Sequence, residues 1–179
     1  YPWQQTLKHV PIPTVSATAE QLLGEMDATG VEVAVLVQPS VYGWDNSYLC
    51  DCIDRHPGRF AGVGLVDPHA ENAPGDLRHW CVERGCRATR VNLTCTPDDA
   101  SWVLGDLQAA LFGAAAELAI PVQLQTLPQQ IDVVTGLVRR YPSVAFIVDY
   151  LGPKAFHDGT GIPAAERLAG EPNVHFKLL

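Results

Sequence analysis

The stretch FIVDYLGP (146–153) is an apolar run that gives way to Asp149 and Tyr150 and then stops at Leu-Gly-Pro. Such a pattern reads as a buried strand that delivers its last side chains to a loop. Short apolar runs of the same kind recur at 33–37, 60–66, 87–93, 122–124, 144–148 and 174–178. Each is largely apolar on both faces rather than alternating, as in a parallel sheet that is covered on both sides. Their starts are 27, 27, 35, 22 and 30 residues apart, each enough for one crossover helix and two loops.

Helical signals fill the gaps. Thr18 with Gln21 forms a capping box ahead of Leu22, Leu23 and Met26, and Gly30 closes that helix. Asp45 or Asn46 caps the next, which ends at His56-Pro57-Gly58. Further helices are expected over 73–84, 101–118 and 129–140, with a short one near 164–169. No linker interrupts this α/β alternation, so residues 1–179 read as one domain with right-handed crossovers. The result is either an open sheet of six strands or a piece of a (β/α)₈ barrel, since a closed barrel needs two more strands and about 250 residues. Loops that follow strands lie on the carboxyl side, where such folds build their sites.

Composition narrows the function. The chain is 47% hydrophobic over 179 residues, enough for a sizeable core. A formal charge of -8 disfavours nucleic acid as a partner, which needs a clustered basic face. No apolar run is long enough for a membrane span and no signal peptide opens the chain, so a soluble, cytoplasmic protein is expected. The five cysteines include no Cys-x-x-Cys and read as reduced thiols, with Cys50 and Cys52 on different faces of one helix. The expected partner is a small molecule.

The strand exits carry polar residues that converge as a small-molecule pocket requires. The first gives Gln38, Ser40, Tyr42, Asp45 and Asn46, and the second Asp67 and His69. The third gives Arg90 and Asn92, the fourth Gln125, and the fifth Asp149, Tyr150, Lys154 and His157. Arg90 lies within a strand and needs an anion there, either Asp67 or Asp149 in a structural pair or a substrate carboxylate held by two bonds. Asp45 and Asn46 suit helix caps, and Asp67-Pro68 a turn. His175 and Lys177 point the same way, to the barrel interior or to the helix layer according to register. With no His-x-His or His-x-x-x-His, and His69 and His157 on different loops, no metal site and no cofactor are expected. Gly-x-Ser-x-Gly is absent, so Ser40 suits a donor to a substrate oxygen better than a nucleophile.

These residues stand in familiar order. VLVQPSVYGWDNSYL (35–49), PGRFAGVGLVDP (57–68), ATRVNL (88–93), VDYLGP (148–153) and NVHFKL (173–178) together resemble the amidohydrolase-related family, and within it the metal-independent lactonases of 2-pyrone-4,6-dicarboxylate and of sugar acids. The resemblance implies an α/β (β/α)₈ TIM-barrel fold in which these six strands are the second to the seventh. The family's His-x-His strand would then precede Tyr1, and the strand with its aspartate would follow Leu179. It also implies hydrolysis of a lactone ester: an aspartate as general base on water, with histidines and an arginine stabilising the oxyanion.

Carried onto this chain, Ser40, Tyr42, Arg90, Asn92, Gln125 and Lys154 become substrate-binding residues for a small carboxylated lactone, and Asp149 and Tyr150 the catalytic ones. Tyr150 stands where most relatives have histidine, and a tyrosine donates one hydrogen bond but is no cation near neutral pH. That replacement favours an alternative, a non-catalytic small-anion binder. A metal-dependent decarboxylase of the same wider family is a further alternative, one that needs a histidine at that position. If the chain ends at these residues, its two open parallel edges favour self-association, as a homo-oligomer, or poor solubility.

Overall fold

The first helix begins where the capping box predicts. In the computed structural model, which describes residues 14, 16–149, 159 and 161–177, the Thr18 side chain and the Gln21 side chain cap each other's backbone N–H. Helix α1 (Ala19–Thr29) then runs to Gly30, which takes the left-handed φ of 73° that ends it. Strands follow as β1 (Ala34–Val37), β2 (Phe60–Leu65), β3 (Ala88–Asn92), β4 (Val122–Gln125), β5 (Phe146–Val148) and β6 (Val174–Phe176), each inside or at an expected apolar run.

The helices between them are α2 (Ser47–Arg55), α3 (Ala73–Arg78), α4 (Asp106–Glu117), α5 (Ile131–Arg140) and α6 (Ile162–Ala169). The helix expected over 101–118 is in fact two pieces. A 3₁₀ turn (Ser101–Leu104) stops at Gly105, whose extended backbone (φ −69°, ψ 166°) starts α4 in a new direction. The 73–84 helix changes from α to π geometry at His79, and a 3₁₀ turn (Pro128–Gln130) precedes α5.

All pairs are parallel and the sheet order is β1-β2-β3-β4-β5-β6. A doubly wound sheet reverses its order at a switch point, whereas this one never does, which is the order of a partial (β/α)₈ barrel. Register then sorts the side chains into two faces. Val66, Val91, Leu124, Phe146 and Val148 pack under Leu77, Phe112, Val134 and Leu137 of the helices in one large core. The opposite face is the concave one. Leu65 pairs with Arg90, Arg90 with Gln123, Gln123 with Ile147, and Ile147 with His175, so these five share it. Two residues further along each strand, Asp67, Asn92, Gln125, Asp149 and Lys177 form a second row above the first. His175 and Lys177 therefore belong to the concave face, the question that the sequence left open.

Buried polar side chains tie the carboxyl ends together. Asn46 is fully buried, accepts from the Leu65 N–H at 2.8 Å and donates to the Leu65 carbonyl at 2.9 Å. Gln130 donates to the Leu93 and Thr96 carbonyls and accepts from the Leu127 N–H. Cys50, Cys52 and Cys86 are buried free thiols, with Cys50 and Cys52 in separate clusters as their spacing predicts.

Candidate functional site

Above the exits of β1, β2 and β3 lies a cavity of about 390 Å³, walled by Ser40, Asp67, His69, Arg90, Asn92 and Trp102 among others. Arg90 reaches it from the middle of β3. One guanidinium nitrogen, Nη2, donates to the Gln38 carbonyl at 2.8 Å, while Nε is buried with no partner among the described residues. Burial pushes the Arg90 pKa down, and the nearby charge of Asp149 works against that. No carboxylate of the described residues lies within ion-pair distance of Arg90. A half-buried guanidinium with no carboxylate partner among the described residues is suited to an anion.

The other expected residues take several positions. Ser40 opens a 3₁₀ turn (Ser40–Tyr42) at the exit of β1 and lines the cavity. Asn92 lines it too, but its Oδ1 accepts from the Thr94 N–H at 3.0 Å and hydroxyl at 2.6 Å, closing the turn that follows β3. Gln125 is half-buried and paired in register with Asn92 on the concave face. Tyr42 turns away from the cavity. It lines a separate groove of about 790 Å³ between α1 and the end of β1, its ring 5.8 Å from that of Tyr48. Tyr150 and Lys154, like His157, lie outside the described residues. Asp45 accepts from the Ser47 N–H at the start of α2, Asp67 accepts from the His69 N–H in a turn, and Asn46 serves the β2 end, all structural uses.

Asp149 directly follows β5 at 4% exposure, with both carboxylate oxygens accepting from Gln123 Nε2 at 2.9 Å. Lys177 Nζ stands 3.7 Å from its Oδ1. Gln123 and Lys177 were not expected in the site, although each lies at even spacing along its strand from a residue on the concave face, Gln125 and His175. It also missed Trp102, whose indole donates to Thr96 Oγ1 at 2.8 Å and whose ring packs 4.5 Å from His69. The cavity wall is thus fixed from behind. Among the described residues, no three His, Cys, Asp or Glu side chains gather closely enough to hold a metal ion.

A family model described as amidohydrolase matches residues 7–178, nearly the whole chain. The L-fucono-1,5-lactonase of Burkholderia ambifaria is 27% identical over 153 residues, which are 84% of this chain and 52% of that protein. A 4-sulfomuconolactone hydrolase of Hydrogenophaga intermedia is 34% identical over 112 residues, 63% of this chain and 33% of that protein. Among solved structures, a probable 2-pyrone-4,6-dicarboxylic acid hydrolase from Acinetobacter baumannii with citric acid bound superposes with a TM-score of 0.74 at 20% identity. The match covers 97% of this chain and 63% of that one, so the six strands here correspond to part of a larger fold. The chain spans about half the length of the curated relative from Burkholderia.

Proposed function

The chain belongs to the amidohydrolase family, and from that premise we propose that its gene product hydrolyses the ester bond of a small lactone bearing a carboxylate, which Arg90 grips. The observation that carries this reading is the guanidinium of Arg90, which lines a cavity of about 390 Å³ and has no carboxylate of the described residues within ion-pair distance. A guanidinium already bonded through Nη2 to Gln38 has its planar fork held in place, so a carboxylate can meet it without further ordering of the side chain. Relatives named as a lactonase and a lactone hydrolase support the reaction type, and the citric acid bound to one structural neighbour supports a carboxylate ligand.

Water attacks the lactone carbonyl and the ring C–O bond then breaks, the proton given up by the water ending on the departing ring oxygen, to leave a hydroxy acid. Negative charge develops on the carbonyl oxygen, and the donors suited to meet it are the Ser40 hydroxyl and, from its place in the family motif, Tyr150. Both oxygens of Asp149 accept from Gln123, so Asp149 contributes charge that orients the cations rather than taking the proton from water. The amides of Asn92 and Gln125 line the same face and suit the ring substituents.

The test is ring opening by the natural gene product on paired lactones that differ only in one carboxylate. Selective opening of the carboxylated member, lost in Arg90→Gln, is expected. Opening that ignores the carboxylate refutes the reading. The replacement of histidine by Tyr150 favours a second reading, anion binding without chemistry, which predicts saturable carboxylate binding with no ring opening.

A further inference from the structure

We propose that His69 is a further catalytic residue of this site, donating a hydrogen bond through Nε2–H to the lactone oxygen that gains negative charge as the ring opens. The inference rests on the lactone reading above and adds one donor to it. It begins with a break in a helix. Residues 101–118 form two pieces because Gly105 redirects the chain, and one side chain from each piece reaches the same imidazole. Trp102 comes from the 3₁₀ turn, its ring 4.5 Å from that of His69. Gln108 comes from α4, its amide nitrogen 3.4 Å from His69 Nδ1.

The contact with Gln108 fixes which ring nitrogen carries the proton. Gln108 is buried, and its Nε2 donates to the Pro68 carbonyl at 2.8 Å, so that end of the amide is the NH₂ group. The other end, Oε1, lies against Gly105, where a Cβ atom would come within 3.0 Å of it. The second N–H of the amide is therefore the one that meets His69 Nδ1, which accepts. A neutral imidazole has one proton, and with Nδ1 as acceptor it sits on Nε2. Nε2 has no partner among the described residues, and His69 lines the cavity that Arg90 and Ser40 also line.

The ring is held on its other sides as well. Asp67 Oδ1 accepts from the His69 backbone N–H at 2.9 Å, which fixes the turn that carries it, and the Trp102 indole is itself anchored on Thr96 Oγ1 at 2.8 Å. Yet His69 is exposed. Clamping an exposed side chain costs conformational entropy and gains little burial, whereas a donor held ready needs no reordering when charge develops on the ligand. A neutral histidine can polarise a carbonyl in this way. No proton leaves the ring: Nε2 keeps its hydrogen and shares it with the oxygen, while the proton given up by the attacking water still ends on the departing ring oxygen.

The test follows ring opening of γ-butyrolactone-γ-carboxylate by the natural gene product and two variants. His69→Phe keeps an aromatic ring against Trp102 and removes the donor, and His69→Gln restores an N–H at a similar reach. In His69→Phe, kcat is expected to fall about 100-fold with KM within about threefold, as for loss of one oxyanion donor, and His69→Gln should recover about tenfold of that loss. A fall in kcat of less than about tenfold, or an effect confined to KM, overturns the proposal. Nitrogen NMR of the wild-type imidazole at about pH 8, where a free imidazole is neutral, reads the tautomer. A proton on Nε2 is expected, and a proton on Nδ1 overturns the proposal whether or not His69→Phe folds. A wild type that opens neither this lactone nor the paired ones above refutes the lactone reading and the proposal together, whereas ring opening that survives in His69→Phe refutes the proposal alone.

Discussion

Arg90→Gln separates a binding role from a structural one. If Arg90 serves the fold, its removal breaks the bond from Nη2 to the Gln38 carbonyl and takes a cation from beside Asp149. A hydrogen bond from a charged donor contributes about 1.5–3 kcal/mol. Against that, the substitution also removes a buried N–H with no partner, relieving a desolvation cost of about 1–3 kcal/mol. The two offset one another, so the expected change in stability is within about 1 kcal/mol, or a few degrees in Tm. Binding has no such offset. A carboxylate held by two charged bonds loses at least one of them, about 2–3 kcal/mol, which weakens Kd about 30- to 150-fold. Thermal unfolding and calorimetry with benzoate on the same variant check both halves. The reasoning is refuted if stability falls by about 3 kcal/mol or more while benzoate affinity stays within threefold, because Arg90 would then be the structural partner of Asp149.

Three further outcomes follow from the geometry. Asn46→Ala strands the buried N–H and carbonyl of Leu65 and should cost about 3 kcal/mol, read by urea denaturation; a cost below about 1 kcal/mol would mean that water replaces the amide. Hydrogen bonds from Ser47 hold the Asp45 carboxyl below its ordinary pKa, so it stabilises the fold above the unfolded-state value near pH 4 and loses that contribution as pH falls through its folded value. Asp45→Ala should therefore lose about 0.5–1.5 kcal/mol at pH 7 and little at pH 2, and an equal loss at both would contradict the assignment. Burial pushes the Cys81 thiol up to about 12, so it should stay unreactive to a disulfide reagent at pH 8 until the protein unfolds, and fast native labelling traced to Cys81 by mass spectrometry would refute this.

Much of the fold was readable in the chain because its signals are local. A capping box needs Thr18 and Gln21 alone, the αL turn needs Gly30 alone, and an apolar run such as 60–66 needs only its own residues to announce a covered strand. The break at Gly105 was not readable, since 101–118 keeps helix-forming composition and only the backbone path around Trp102 and Gln108 ends the first turn. Within the site, Ser40, Arg90 and Asn92 were visible as polar residues at strand exits, and all three line one cavity. Tyr42 carried the same signal and turned elsewhere, because two positions along a 3₁₀ turn of three residues swing a side chain about 240° around the axis.

The sequence by itself determined which segments become strands and helices, their parallel order and the side of the sheet on which a site is built. All of these depend on periodicity, capping and crossover length, which act over a few residues or one connection. The tertiary structure alone decided which polar residues meet. Arg90 contacts a carbonyl 52 positions away, Gln123 clamps a carboxylate 26 positions on, and Lys177 joins them through the register of β5 and β6. Those encounters are set by how neighbouring strands slide against one another, and a shift of one residue would turn every one of these side chains into the helix layer.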